Sequence, residues 1–242
     1  MFYFKKRRKT LNTTLNITYW SDFSCPYCYI GETRLKKAIS NLGLTDSVTL
    51  TPKAFRLDPD APLKSIGPTQ ERFAKKYRIS YEQAGQQIKH IAELGRKEGL
   101  DFNYASTLFT NNMDAHRLIK MAQATNPSLV DTLQETLFAA YFSENKELAD
   151  RKVLLDIANK VGLDSDEVNA MLDSDDYKEL VRKEEQAAYQ LGVRGVPFFL
   201  IGDEIVVAGA QTQEGFERAL QQMVLKNSSN ETGLCGPEGC HI

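Results

Sequence analysis

The chain has 242 residues, of which 42% are hydrophobic and 26% charged, and its formal net charge is −2. That length and apolar content suffice for a buried core, which excludes fibrous and intrinsically disordered classes. Lys and Arg are spread along the chain instead of gathered in one patch, which argues against nucleic acid as a partner.

At the N-terminus, Lys5-Lys6-Arg7-Arg8-Lys9 precedes a stretch, 10–17, that is too polar and too short for the apolar segment of a secretory signal. Residues 1–14 are expected to form a mobile tail. No later stretch approaches transmembrane length. The expectation is a cytoplasmic protein with no membrane partner, a compartment in which thiols stay reduced and a C-x-x-C pair points to catalysis or to metal.

Residues 15–20 alternate as a strand, and 31–39 read as a helix; between them lies Cys25-Pro26-Tyr27-Cys28. At a strand-to-helix junction the first cysteine sits near free backbone N–H groups and the positive end of the helix dipole, which favour thiolate. Cys25 is therefore the expected nucleophile. Cys28, about one helical turn on, is placed to resolve a mixed disulfide formed at Cys25. Two thiolates at this spacing also make half of a tetrahedral zinc site, so a second signal is needed.

A second strand is expected over 47–55, at a sheet edge or with a bulge, because Pro52 interrupts it. Asp58-Pro59-Asp60-Ala61-Pro62 ends that pattern, and 69–191 read almost wholly as helices. Asp150 is an expected N-cap for a helix stopping at Gly162, and Asp164 with Glu167 an expected capping box. A long helix over 175–192 closes at Gly192. Gly195-Val196-Pro197-Phe198 then supplies the second signal: a proline directly opening an apolar strand suits a cis bond or a special strand end. Residues 198–201 and 204–208 are expected to pair as a hairpin across Gly202-Asp203, before a last helix over 212–225.

The dithiol and the Gly-Val-Pro loop, bracketing the chain in this order, make it similar to the thioredoxin superfamily. The order strand, helix, strand, helical insert, hairpin, helix resembles its DsbA-like members over about residues 15–226. Asp22-Phe23-Ser24-Cys25-Pro26-Tyr27-Cys28, Asn111-Asn112-Met113-Asp114-Ala115-His116-Arg117, 137–142 and 192–198 resemble the FrnE-like branch related to 2-hydroxychromene-2-carboxylate isomerases. The resemblance implies an α/β class: a thioredoxin fold with a large all-helical insertion between the second strand and the cis-proline hairpin. It divides the chain into a thioredoxin-like domain (15–60 and 192–226), a helical domain (61–191) and a flexible tail (227–242).

It further implies that Pro197 packs against the dithiol and that the Val196 backbone pairs with the substrate chain. Tyr27 and Phe23 would offer that substrate an apolar platform, and Asn111 and His116 are candidates to line its cleft. Asp22 is expected to be a solvated strand-end residue, with tuning of proton transfer from Cys28 as the alternative if it is buried. In the tail, Cys235 and Cys240 bracket the turn Gly236-Pro237-Glu238-Gly239; they read as a second redox pair, with a zinc clip including His241 or an incidental end as alternatives.

The function expected is a thiol–disulfide oxidoreductase, a protein disulfide oxidoreductase or isomerase, acting on protein or small-molecule disulfides and thiols. It would need no metal or organic cofactor, would use glutathione at most as co-substrate, would be served by a reductase partner, and would be a monomer or homodimer. The alternatives are a glutathione-dependent or polyketide isomerase or transferase on the same fold, whose relatives carry Ser at the Cys25 position, and a non-catalytic redox sensor or holdase.

Overall fold

The first strand, β1 (Leu15–Ser21), turns Leu15, Ile17 and Tyr19 to one buried face and Trp20 to the other, the period of two that a strand covered on both faces requires. The computed structural model describes residues 14–232. All but Thr14 of the tail expected at 1–14, and the cysteines of the C-x4-C motif, lie outside the described residues. Helix α1 (Pro26–Asn41) begins five residues earlier than the periodicity suggests, because Pro26 takes the first helical position, where a missing N–H costs nothing, and Cys25 becomes the N-cap. Strand β2 (Val48–Ala54) pairs parallel with β1, opposite residues running from Leu15 and Val48 to Ser21 and Ala54.

Seven helices follow before the sheet resumes: α2 (Thr69–Tyr77), α3 (Tyr81–Lys97), α4 (Met113–Thr125), α5 (Val130–Phe142), α6 (Arg151–Val161), α7 (Ser165–Asp173) and α8 (Lys178–Gln190). Asp150 caps α6 through the Lys152 N–H, and Gly162 closes that helix at φ +91°. Asp164 caps α7 by accepting from the Asp166 and Glu167 N–H groups, without the reciprocal bond a capping box needs. The reciprocal pair occurs instead at Ser80 and Gln83, opening α3. Helix α8 starts three residues later than expected and ends before Gly192, whose φ is +80°.

The chain then returns as β3 (Phe198–Ile201), antiparallel to β1, and β4 (Ile205–Ala208), giving the order β2-β1-β3-β4. Ile201 faces Ile205, so the hairpin loop is Gly202-Asp203-Glu204, three residues in place of the expected two. Gly202 and Asp203 both take φ +59° there. Helix α9 (Gln213–Thr232) runs into the tail expected to be flexible over 227–242, so the boundary drawn at 226 falls inside it.

Helices α1 and α9 cover one face of the sheet, burying Leu35, Ile39, Phe216, Leu220 and Met223 on Leu15, Ile17, Phe199 and Ile201. Each such side chain stabilises the fold by about 1.5–3 kcal/mol. Among the described residues the outer edge of β2 has no strand partner; side chains replace one. Pro52 offers no N–H, its carbonyl accepts from Lys120 Nζ and Gln123 Nε2, and the Ala54 N–H donates to the Glu184 carboxylate on α8. Lys53 and Lys120 also pair with Glu184, and Arg56 pairs with Glu185. Polar side chains of α4 and α8 thereby block the edge to other chains.

Helices α3 to α7 share a core with the first turn of α1. Tyr29 stacks on Phe138 at 4.9 Å and Phe102 on Phe142 at 4.6 Å, and Cys25, Cys28 and Ile30 belong to the same cluster. The insert therefore forms one wall of whatever surrounds the dithiol.

Candidate active site

Cys25 is the N-cap of α1 in extended conformation (φ −92°, ψ 111°), with its N–H donated to the Asp22 carbonyl and its own carbonyl accepting from the Cys28 N–H. Both cysteines are free thiols. Cys25 retains 4% of its surface and Cys28 none, so a partner reaches Cys25 alone. The Cys28 sulfur accepts from the Asp22 N–H at 3.5 Å. Burial pushes the Cys28 thiol well up, and the adjacent Cys25 raises it further. Cys28 thus stays protonated while Cys25 meets a partner.

The Val196–Pro197 bond is cis, and the Cys25 thiol donates to the Val196 carbonyl at 3.5 Å. The loop comes this close because Gly31 faces it: a Cβ there would meet the Pro197 ring at 3.1 Å and the Ala210 backbone at 3.3 Å. The structure thus brings Cys25, Cys28, Val196 and Pro197 together. Tyr27 is 42% exposed and joins the Cys25 surface, whereas Phe23 is buried between Phe138 and His116.

Asp22 is not solvated. It is buried with both carboxylate oxygens occupied: one accepts from the Ser24 N–H and the Asn112 amide, the other from the Leu57 N–H. Burial raises its pKa, and these three bonds oppose that rise. It ties the loop before the dithiol to the segment after β2 and to the start of α4.

The side chain of Asn111 bonds the Pro59 carbonyl and caps the Met113 N–H, in a different groove from Cys25. Its neighbour Asn112 is the one that reaches the dithiol loop, bonding Ser24 as well as Asp22. His116 lies behind Phe23, its Nε2 buried without a hydrogen-bond partner among the described residues. Burial pulls its pKa down to about 3, so the imidazole is neutral. The Arg117 guanidinium bonds the carbonyls of Met171, Ser174 and Asp176, closing the end of α7.

Two features carry no signal in the sequence because residues far apart in the chain form them. Beneath the sheet, Glu32 accepts from Ser21 Oγ at 2.6 Å and from Gln134 Nε2 at 2.6 Å, and Gln134 also donates to Tyr19 Oη. Burial lifts the Glu32 carboxyl to about 7. Above the dithiol, a groove of about 390 Å³ is bounded by Cys25, Pro26, Tyr27 and Val196 on one side. Phe73, Tyr77, Ile91, Tyr104 and Phe109 of the helical insert bound the other. Among the described residues no group of three or more His, Cys, Asp or Glu side chains is disposed to hold a metal.

Sheet order, insert and a cysteine pair facing a cis-proline loop define a DsbA-like thioredoxin architecture. The chain belongs to the DSBA-like thioredoxin domain family, whose model matches residues 16–221. It is similar to a probable DsbA oxidoreductase of Streptomyces coelicolor, at 31% identity over 94% of this chain and 99% of that one, with a TM-score of 0.82. The curated protein YwbO of Bacillus subtilis is 25% identical over 213 residues, covering 86% of this chain and 96% of YwbO. A 2-hydroxychromene-2-carboxylate isomerase shares the fold at 20% identity, with 89% of this chain and 98% of that one covered and a TM-score of 0.64. No helix among the described residues is long and apolar enough to cross a membrane.

Proposed function

We propose that this protein is a thiol–disulfide oxidoreductase of FrnE-like type, acting in the cytoplasm through Cys25 and Cys28. The observation that carries the reading is the asymmetry of the two thiols: Cys25 caps α1 and reaches the surface beside the Val196 carbonyl, while Cys28 is sealed beneath it. A substrate chain pairs its backbone with Val196, which sets the substrate disulfide over Cys25. The Cys25 thiolate attacks one sulfur, the bond between the two substrate sulfurs breaks, and the first substrate thiolate leaves and takes up a proton. Cys28 then gives up its proton and attacks Cys25, releasing the second substrate thiol. Protein and substrate have exchanged two electrons, and the reverse sequence oxidises a dithiol. Glutathione or a reductase partner resets the Cys25–Cys28 disulfide.

The test is a glutathione redox titration with thiol trapping and mass mapping, on wild type and Cys25→Ser. A reversible disulfide between Cys25 and Cys28 is expected. Two thiols inert across the titration would refute the mechanism and leave the isomerase chemistry of the same fold as the better account.

A further inference from the structure

One stripe of helix α2 carries charge onto the groove that the oxidoreductase reading does not use. Arg72, Phe73, Lys76 and Tyr77 all line it, and the spacing of four between Arg72 and Lys76 stacks the two cations one helical turn apart. Neither cation forms a salt bridge among the described residues, although sixteen other ion pairs occur there, and Lys76 acts only at longer range on the buried Asp22 carboxylate. The Arg72 guanidinium carbon lies over the Phe109 ring, 3.8 Å from its centroid, and its Nε is buried with no acceptor among the described residues. A buried N–H without a partner is costly, and an Arg guanidinium resting on a ring keeps N–H groups to offer a carboxylate. Asp58 is the one acidic side chain lining the groove, and it pairs with neither cation.

We propose that Arg72 and Lys76 select the substrate: the groove takes disulfides whose reacting cysteine is flanked by carboxylates. The inference rests on the Cys25 chemistry above and adds a charge preference to it. Cys25 attacks the substrate sulfur, the leaving thiolate departs, and the flanking carboxylate stays against Arg72 and Lys76 until Cys28 releases the peptide. An acidic peptide segment and glutathione, a tripeptide with two carboxylates, both carry this chemistry.

The experiment uses reduced full-length protein and cysteine peptides activated as 2-thiopyridyl mixed disulfides, whose neutral leaving group reports each attack by absorbance. Asp-flanked and Asn-flanked peptides form one pair of probes, and activated glutathione with its diethyl ester forms the other. The wild-type rate constant is expected to favour the carboxylate member by about fivefold to tenfold at low salt and less at high salt, as two partly screened ion pairs give. Arg72→Gln combined with Lys76→Gln should bring the ratio to about one, and Asp58→Asn should widen it. A preference in both pairs, or in either pair alone, supports carboxylate selection, and the pair that shows it tells the peptide source from the small molecule. A wild-type ratio of about one in both pairs, or a ratio unchanged in the double variant, overturns it. Thiopyridone release that is no faster than in Cys25→Ser would instead bring down the oxidoreductase reading.

Discussion

Glu32→Gln isolates the electrostatics beneath the sheet. The wild-type carboxyl has a folded pKa of about 7 against 4.5 when solvated, with burial as the main cause. Between these values the folded protein keeps a proton that the unfolded chain releases. Stability from this group is therefore complete below pH 4.5 and is lost as pH rises through 7. The loss between pH 5 and pH 8 comes to about 2.5 kcal/mol, at about 1.4 kcal/mol per pH unit. Glutamine fits the site: its oxygen still accepts from Gln134, and its amide nitrogen donates to Ser21 Oγ, whose hydroxyl can turn. His116 works in the opposite sense. Its pKa of about 3, against 6.5 solvated, gives stability that is present above pH 6.5 and lost as pH falls, so these two contributions nearly cancel in the wild type between pH 5 and pH 8. The measurement is urea unfolding of both proteins under reducing conditions at pH 5, 6.5 and 8. The variant should gain on wild type by about 2.5 kcal/mol across that range. A difference between the two proteins that does not change with pH would refute the reasoning.

His116→Phe removes the orphaned Nε2 while keeping a ring against Phe23, and it should gain on wild type by about 2 kcal/mol on going from pH 8 to pH 5, read by the same unfolding series. Cys28→Ser should accumulate a mixed disulfide at Cys25 with glutathione, detected as an added mass on the Cys25 peptide, whereas wild type should clear it. Gly95→Ala places a Cβ 2.5 Å from the Phe102 ring, whose side chain is fully buried, so overpacking should outweigh the gain in helix propensity. A net loss of about 1–2 kcal/mol is expected, checked by thermal melting.

What the sequence by itself determined is local. The cap at Asp150, the glycines ending α6 and α8, and the alternation along β1 act over a few residues, and the structure bears them out. The same holds for Cys28 one turn beyond Cys25, since helix geometry alone sets that spacing. Where tertiary packing intervenes, local signals mislead. Asp22 looks like a solvated strand end but is sealed by Leu57 and Asn112, and the motif residue Asn111 turns to a neighbouring loop while Asn112 meets the dithiol. Glu32 and Gln134 stand 102 positions apart, and Cys25 and Arg72 come from different halves of the fold. Which helix of the insert lies against the dithiol depends on how aromatic surfaces such as Tyr29, Phe102 and Phe138 fit one another. That fit buries the carboxyl groups and turns the α2 stripe onto Cys25, and it exists only once the chain is folded.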